Sequence, residues 1–200
     1  MEEAKIQFSP TEMELMCNSD ILLTKNKVIM KIKKLLESLQ EEMLSYAKNH
    51  PRFLNNDIFS IYPKISRGEN YLGLPYLILD YPRCFQQDNI FTIRTMFWWG
   101  NFFSTTLHLS GSYKLLYAAE IEASYNLLEN HSIGINAEPW LHHFEKDNYK
   151  EIALLDKKAF KLEIGKYPHL KIAKKILLND IEATKKLLEN WKQLLKICFD

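Results

Sequence analysis

NIFTIRTMFWW, Asn89 to Trp99, runs through Gly100-Asn101 into FFSTTLHL, Phe102 to Leu109. β-branched and aromatic residues dominate both halves, and a Gly-X pair suits a two-residue hairpin turn. That turn sets Trp99 opposite Phe102, Phe97 opposite Ser104, Thr95 opposite Thr106 and Ile93 opposite His108. The other face then carries Arg94, Met96, Trp98, Phe103, Thr105 and Leu107. Both faces are aromatic, so both are expected to pack against something.

Upstream, Tyr71 to Tyr81 (YLGLPYLILDY) reads as a largely buried strand. Pro75 inside it cannot donate to a ladder, which predicts an edge position or a bulge. Residues 52–70 read as irregular, with Ser66-Arg67-Gly68-Glu69-Asn70 as a turn-rich stretch. Before them, Ser9-Pro10-Thr11-Glu12 has the form of a capping box with proline at the first helical position, predicting a short helix over 10–17. Asn18-Ser19-Asp20 interrupts it. From Thr24 to Lys48, Val28, Ile32, Leu35, Leu36, Leu39, Met43 and Tyr46 keep three- and four-residue spacing, one face of a long helix that Asn49-His50-Pro51 stops.

Downstream, the spacing predicts a helix over 113–129, a short strand at Ile133–Ala137 and a short helix at Tyr149–Leu155. Phe160, Leu162 and Ile164 alternate with Lys161 and Glu163, as in a half-exposed strand, and 170–178 fits helix or strand equally. A last helix is capped by Asn179 and Glu182 and carries a stripe from Thr184 through Trp191 to Cys198. Helices at the ends and antiparallel strands between them predict an α+β fold. The expected architecture is a single domain over 1–200, its sheet built from the central third and packed by the long N-terminal and C-terminal helices.

The chain has 200 residues, 46% of them apolar and 12% aromatic, and a formal net charge of +1, so disorder is not expected. No apolar run reaches 18 residues, and Met1-Glu2-Glu3-Ala4-Lys5 leads into no apolar segment; a soluble protein without membrane span or secretory signal is expected. Cys17, Cys84 and Cys198 are single and far apart, which argues against a disulfide framework and suits a cytoplasmic location.

The near-neutral total argues against a nucleic-acid partner, yet it averages three unlike parts. Residues 1–50 carry net −1, 51–156 net −4 and 157–200 net +6. All four arginines lie between Arg52 and Arg94, where no lysine occurs from 65 to 113.

No GxGxxG, P-loop or G-x-S-x-G pattern is present, so no nucleotide-fingerprint cofactor is expected. His142 and His143, with Glu145 and Asp147, are poorly placed to share one ion, being adjacent; surface histidines and no metal are expected. Lys185, Lys186, Lys192 and Lys196 lie off the apolar stripe of the last helix, as a solvated face does.

The candidate site is the arginine and aromatic cluster: Arg67, Arg83 and Arg94 with Tyr71, Tyr76, Trp98 and Trp99. Arginine suits planar recognition of carboxylate or phosphate and stacking on rings. The competing reading is internal, with Arg94 paired to Asp80 and the rings serving as core. His108, on a strand near Ser104 and Thr106, is the candidate for acid/base chemistry.

The order of elements resembles the YktB-like family of small soluble proteins of unknown function. The likeness is carried by Phe8-Ser9-Pro10-Thr11-Glu12 before a long helix, Ser66-Arg67-Gly68 and Leu74-Pro75-Tyr76 at a strand, the aromatic run Phe91 to Trp99 and an amphipathic last helix. It does not extend to Cys84–Asn89 or to Gly100-Asn101. The resemblance implies a compact α+β domain with an antiparallel sheet and supplies no catalytic residues. Three functions are therefore carried forward. The first is a module binding a small anionic or aromatic ligand at the Arg/aromatic sheet face. The second is an enzyme using the same face with His108 as acid/base, and the third is a helix-mediated interaction protein.

Overall fold

The central hairpin turns through three residues, one more than its Gly-Asn pair suggests. In a computed structural model describing residues 6–54 and 56–199, β3 (Asn89–Trp98) pairs with β4 (Phe102–Ser110) so that Trp98 faces Phe102 and Thr92 faces His108. The N-terminal Met1–Lys5 stretch lies outside the described residues. Trp99, Gly100 and Asn101 form the loop; Gly100 takes φ +72°, and the Asn101 amide donates to Trp99 O at 2.9 Å. The predicted register is therefore corrected by one residue, and every β4 side chain changes face relative to β3. Ser104, Thr106 and His108 share a face with Arg94, Met96 and Trp98.

β2 (Leu74–Gln86) pairs with β3 on one side and β1 (Lys64–Tyr71) on the other. It is an inner strand; Pro75 falls where the β1–β2 register shifts, between Gly68/Tyr71 and their partners. β1 corrects the irregular reading of 52–70. As the sheet's edge it is polar and only partly covered, so alternation of apolar residues could not reveal it. A second irregularity lies between Asp80 and Arg83: Asp80 pairs with Arg94 and Arg83 with Thr92. The extra residue of this bulge keeps Arg83 on the face of Asp80, where strict alternation would turn it away.

Three later strands complete an antiparallel sheet in the order β1-β2-β3-β4-β7-β5-β6. They are β5 (Ser132–Gly134), β6 (Tyr149–Glu151) and β7 (His169–Leu177). The ambiguous 170–178 segment is thus strand, paired with β4 along its whole length. Between β5 and β6 the irregular strap 135–148 crosses the sheet.

One face of the sheet is covered by helices. α1 (Pro10–Cys17) has the reciprocal Ser9–Glu12 capping box; α2 (Ser19–Lys48) starts earlier than its periodicity suggests because the Asn18 side chain caps it. A single turn, α3 (Pro51–Leu54), leads to β1. α4 (Gly111–Ala123) and α6 (Ala183–Phe199) pack with α2 on β2, β3, β4 and β7. α6 begins later than Asn179 implies, and the Asp180 carboxylate accepts the Glu182 N–H.

The predicted strand at Phe160–Ile164 is instead α5 (Lys157–Lys166). Asp156 caps it, Phe160 and Ile164 are buried one turn apart, and Leu162 is exposed. Likewise 149–155 is β6 followed by a 3-10 turn.

Leu36, Leu39 and Met43 of α2, with Trp191, Leu194 and Leu195 of α6, close over Leu79, Phe91, Ile93, Leu107 and Ile172 of the sheet. Each such fully buried side chain contributes about 1.5–3 kcal/mol. Trp191 stacks on Tyr81 with centroids 5.9 Å apart and donates its indole N–H to Tyr81 O at 2.6 Å. A smaller apolar cluster, Ile78, Met96, Trp98 and Phe102, lies on the opposite face and meets Phe144 of the strap.

Candidate functional site

The face beneath the strap changes character rung by rung. Tyr76, Trp98, Phe102 and Leu177 form an apolar rung; Ile78, Met96, Ser104 and Lys175 form the next. Asp80, Arg94, Thr106 and Ala173 follow, and then Arg83, Thr92, His108 and Lys171. Ser110 and His169 lie beyond. Polar side chains here exist on a face that the strap removes from water.

Much of this polarity holds the strap. An irregular buried segment must find partners for its own backbone groups. The Tyr71 hydroxyl accepts the N–H groups of His142 at 2.6 Å and His143 at 3.1 Å, leaving its proton for His143 Nδ1 at 3.3 Å. His143 Nε2 then faces Asp147 Oδ1 at 3.3 Å. Lys171 donates to Leu141 O at 2.7 Å, with Asn148 Oδ1 at 3.4 Å, and its ammonium lies over the Tyr149 ring. Gly134 leaves the space this lysine needs, since a Cβ there would sit 2.9 Å from Lys171 Cε and 3.1 Å from its Cβ.

Arg94 forms a two-pronged pair with Asp80, Nε to Oδ1 at 2.8 Å and Nη2 to Oδ2 at 2.9 Å. Its Nη1 contacts His142 Nε2 at 3.0 Å. A guanidinium can only donate, so His142 Nε2 accepts and the ring is neutral with its proton on Nδ1. The electrostatics agree: burial first, then Arg94 and Lys171, hold His142 well below the usual histidine range. Burial, with His169 and Lys171 nearby, pushes His108 down to about 3. Burial lowers Lys171 to about 8, against the opposing charge of Glu138, and lowers His169 as well.

Several buried polar atoms in and beside this set have no hydrogen-bond partner: Thr92 Oγ1, His108 Nε2 and His169 Nε2. Thr92 and His108 are 1% and 3% exposed, so bulk solvent does not reach these atoms. The Arg83 side chain beside them is half-buried and makes no ion pair or hydrogen bond among the described residues. Trp140 covers this end, edge-on to His108 with centroids 5.1 Å apart and 5.6 Å from the Arg94 guanidinium carbon.

Of the residues singled out by sequence, Arg83, Arg94, Tyr71, Tyr76, Trp98 and His108 share this face. Trp98 donates its indole N–H to Tyr71 O at 3.2 Å. Arg67 and Trp99 lie elsewhere. Arg67 is on the exposed edge strand, held by Glu69, which Lys25 also meets at 2.7 Å. Trp99 packs on the helix-covered core beside Phe97. The surface reading of the adjacent histidines is corrected, because His143 is buried and His142 lies against Arg94.

Sequence reading missed His169, Lys171, Asn148, Tyr149 and Trp140. A usable signal existed for the first two: His169, Lys171 and Ala173 alternate with Leu170 and Ile172. A polar face on so apolar a strand marks a second covered surface. Among the described residues no group of three or more His, Cys, Asp or Glu is arranged to hold a metal ion, and no helix is long and apolar enough to cross a membrane. Comparison with protein-family models, curated proteins and solved structures returns no match.

Proposed function

We propose that the protein binds a small anion on the strap-covered sheet face, at the rung of Arg83, Thr92, His108 and Lys171. One observation carries the reading: the unpartnered Thr92 and His108 atoms lie on the same rung as two cations, Arg83 and Lys171, that no carboxylate contacts. Leaving a buried polar group unsatisfied costs about 1–3 kcal/mol, so an anion that accepts from the Thr92 hydroxyl, and from His108 in its Nε2–H tautomer, recovers what the closed protein forgoes. Trp140 is the cover a ligand displaces, being 43% exposed and part of a segment without regular structure.

A His108 pKa of about 3 makes the imidazole neutral at pH 7, suited to hydrogen bonding with a bound anion. The enzyme reading uses the same residues, with Arg94 orienting the substrate; turnover lost in His108→Ala while binding persists would favour it.

Thermal-shift screening against inorganic phosphate, sugar phosphates and carboxylic acids tests the proposal. A ligand at a hundred times its Kd stabilises by about 2.7 kcal/mol, a rise of roughly 5–10 °C for a domain of this size. Arg83→Gln should abolish that rise. Equal shifts in wild type and Arg83→Gln, or none with any anion, would refute the site.

A second reading, a helix-mediated interaction surface, is favoured by a different feature. α1 buries no residue, and Met13, Leu15 and Met16 with Ile21, Leu22 and Leu23 of α2 are all exposed. Exposed apolar groups concentrated this way mark contact surfaces. Sedimentation velocity distinguishes it: association that Met16→Glu/Leu22→Glu abolishes supports it, and a monomer at every concentration speaks against self-association through this face.

A further inference from the structure

We infer that a second cleft, at the sheet edge where β5 leaves β7, binds an organic monocarboxylate with an aliphatic tail. It lies apart from the Arg83 rung and does not rest on the anion reading there.

β7 runs on to Leu177, but β5 pairs with it only through Ser132–Ala173 and Ile133–Ile172. Past Ala173 the chain before β5 parts from the β7 edge. A cleft of about 900 Å³ opens there, walled by 144–146 of the strap and by β6 with the turn after it. That volume is in the range of small-molecule sites. One step further along each antiparallel strand sets His131 beside Lys174. His131 lines the cleft, is 2% exposed, and has no hydrogen-bond partner in the protein at either ring nitrogen. Burial, and then the charge of Lys174, lower its pKa to about 4. At pH 7 the ring is therefore neutral and offers one N–H donor.

The charges decide the head group. Lys146, Lys150, Lys174 and Lys175 line the cleft, and none of them contacts a carboxylate among the described residues. The Lys175 ammonium lies 5.8 Å from the centre of the Phe144 ring. Glu129, Glu145 and Glu151 share the lining, so lysine exceeds glutamate by one and a single negative charge balances it. A phosphomonoester, at about −1.5 to −2, would overshoot. Lys174, half-buried beside His131, is the cation placed to receive a carboxylate. The rest of the wall is apolar. Phe144 and Tyr149 stack with centroids 4.6 Å apart, and Leu154 is 71% exposed, hydrocarbon that an aliphatic tail would cover.

Titration of the full chain, carrying labelled histidine, with acetate, butyrate, hexanoate and octanoate tests this, with octylammonium as the cationic control. Affinity should rise about fourfold for each methylene buried. The His131 ring nitrogens should shift in a saturable way, and octylammonium should fail to displace octanoate. Lys174→Gln should weaken octanoate about tenfold by removing a charged hydrogen bond. Leu154→Asn, on the surface, should reduce the gain with chain length and leave acetate unchanged. Octanoate binding no tighter than acetate, or equally well in Lys174→Gln, would overturn the proposal. A saturable shift at His108 with none at His131 would move the acid to the strap face and overturn it too. No shift at His131 with any acid would mean that water alone serves its nitrogens; the cleft would then fall, and the Arg83 site would keep its own test.

Discussion

Arg94 is the residue on which the buried polar face turns. Its pair with Asp80 is largely shielded, with side-chain exposures of 13% and 9%. Arg94→Met strands a carboxylate, and denaturant unfolding should show a loss of about 3–5 kcal/mol, mostly recovered in Arg94→Met/Asp80→Asn. His142 adds a pH dependence, together with His108 and His169. Each has a folded-state pKa below its unfolded value, so the unfolded chain binds more protons beneath pH 6.5 and stability falls on acidification. His108 alone, at about 3 against 6.5, accounts for about 2 kcal/mol lost between pH 7 and pH 5. His108→Asn should lower that slope by about this amount in melts taken from pH 7 to pH 5, leaving the part that His142, His169 and His131 contribute. The Arg94–Asp80 pair was legible in the sequence, since both residues lie on strands predicted to be near one another. The His142 contact was not, because it depends on a strap folding back from 48 residues away.

The strap and the bulge in β2 are the elements that bring these residues together. Tyr71 holds two strap amides with one hydroxyl oxygen. Tyr71→Phe should release them, and hydrogen exchange at His142 and His143 should quicken by an amount corresponding to about 1–3 kcal/mol. Gly134→Val should act from the other side by crowding Lys171, and the same strap amides report it. Neither element follows from periodicity. A bulge shows only in the register, where Asp80 and Arg83 both meet the strap face of β3. The hairpin misreading has the same root: Gly100-Asn101 fits a two-residue turn, but Trp99 joins the loop with its N–H donating to Pro75 O at 3.0 Å, a contact with another strand. Phe160, Leu162 and Ile164 fit a period of two, yet packing uses only the first and last. Local pattern located the sheet and the long helices, and long-range contacts assigned the faces.

At the scale of the molecule, the antiparallel sheet separates two kinds of interior. The helix-covered side is apolar and explains why most strand residues are hydrophobic on that face. The strap-covered side grades from the aromatic rung at Trp98 to the cationic one at Arg83 and Lys171. The acidic middle of the sequence supplies Arg83 and His108, and the lysine-rich end supplies Lys171 through β7, so the proposed site joins parts that composition had kept apart.

The central claim, that this second interior receives a small anion, is tested most directly by nitrogen NMR. Inorganic phosphate is titrated into protein carrying labelled histidine. The account predicts that the His108 and His169 ring nitrogens shift in a saturable way, while His50, stacked on Tyr46 in the helix layer, stays still. Absence of any saturable change at His108, or equal changes at His50, would contradict it.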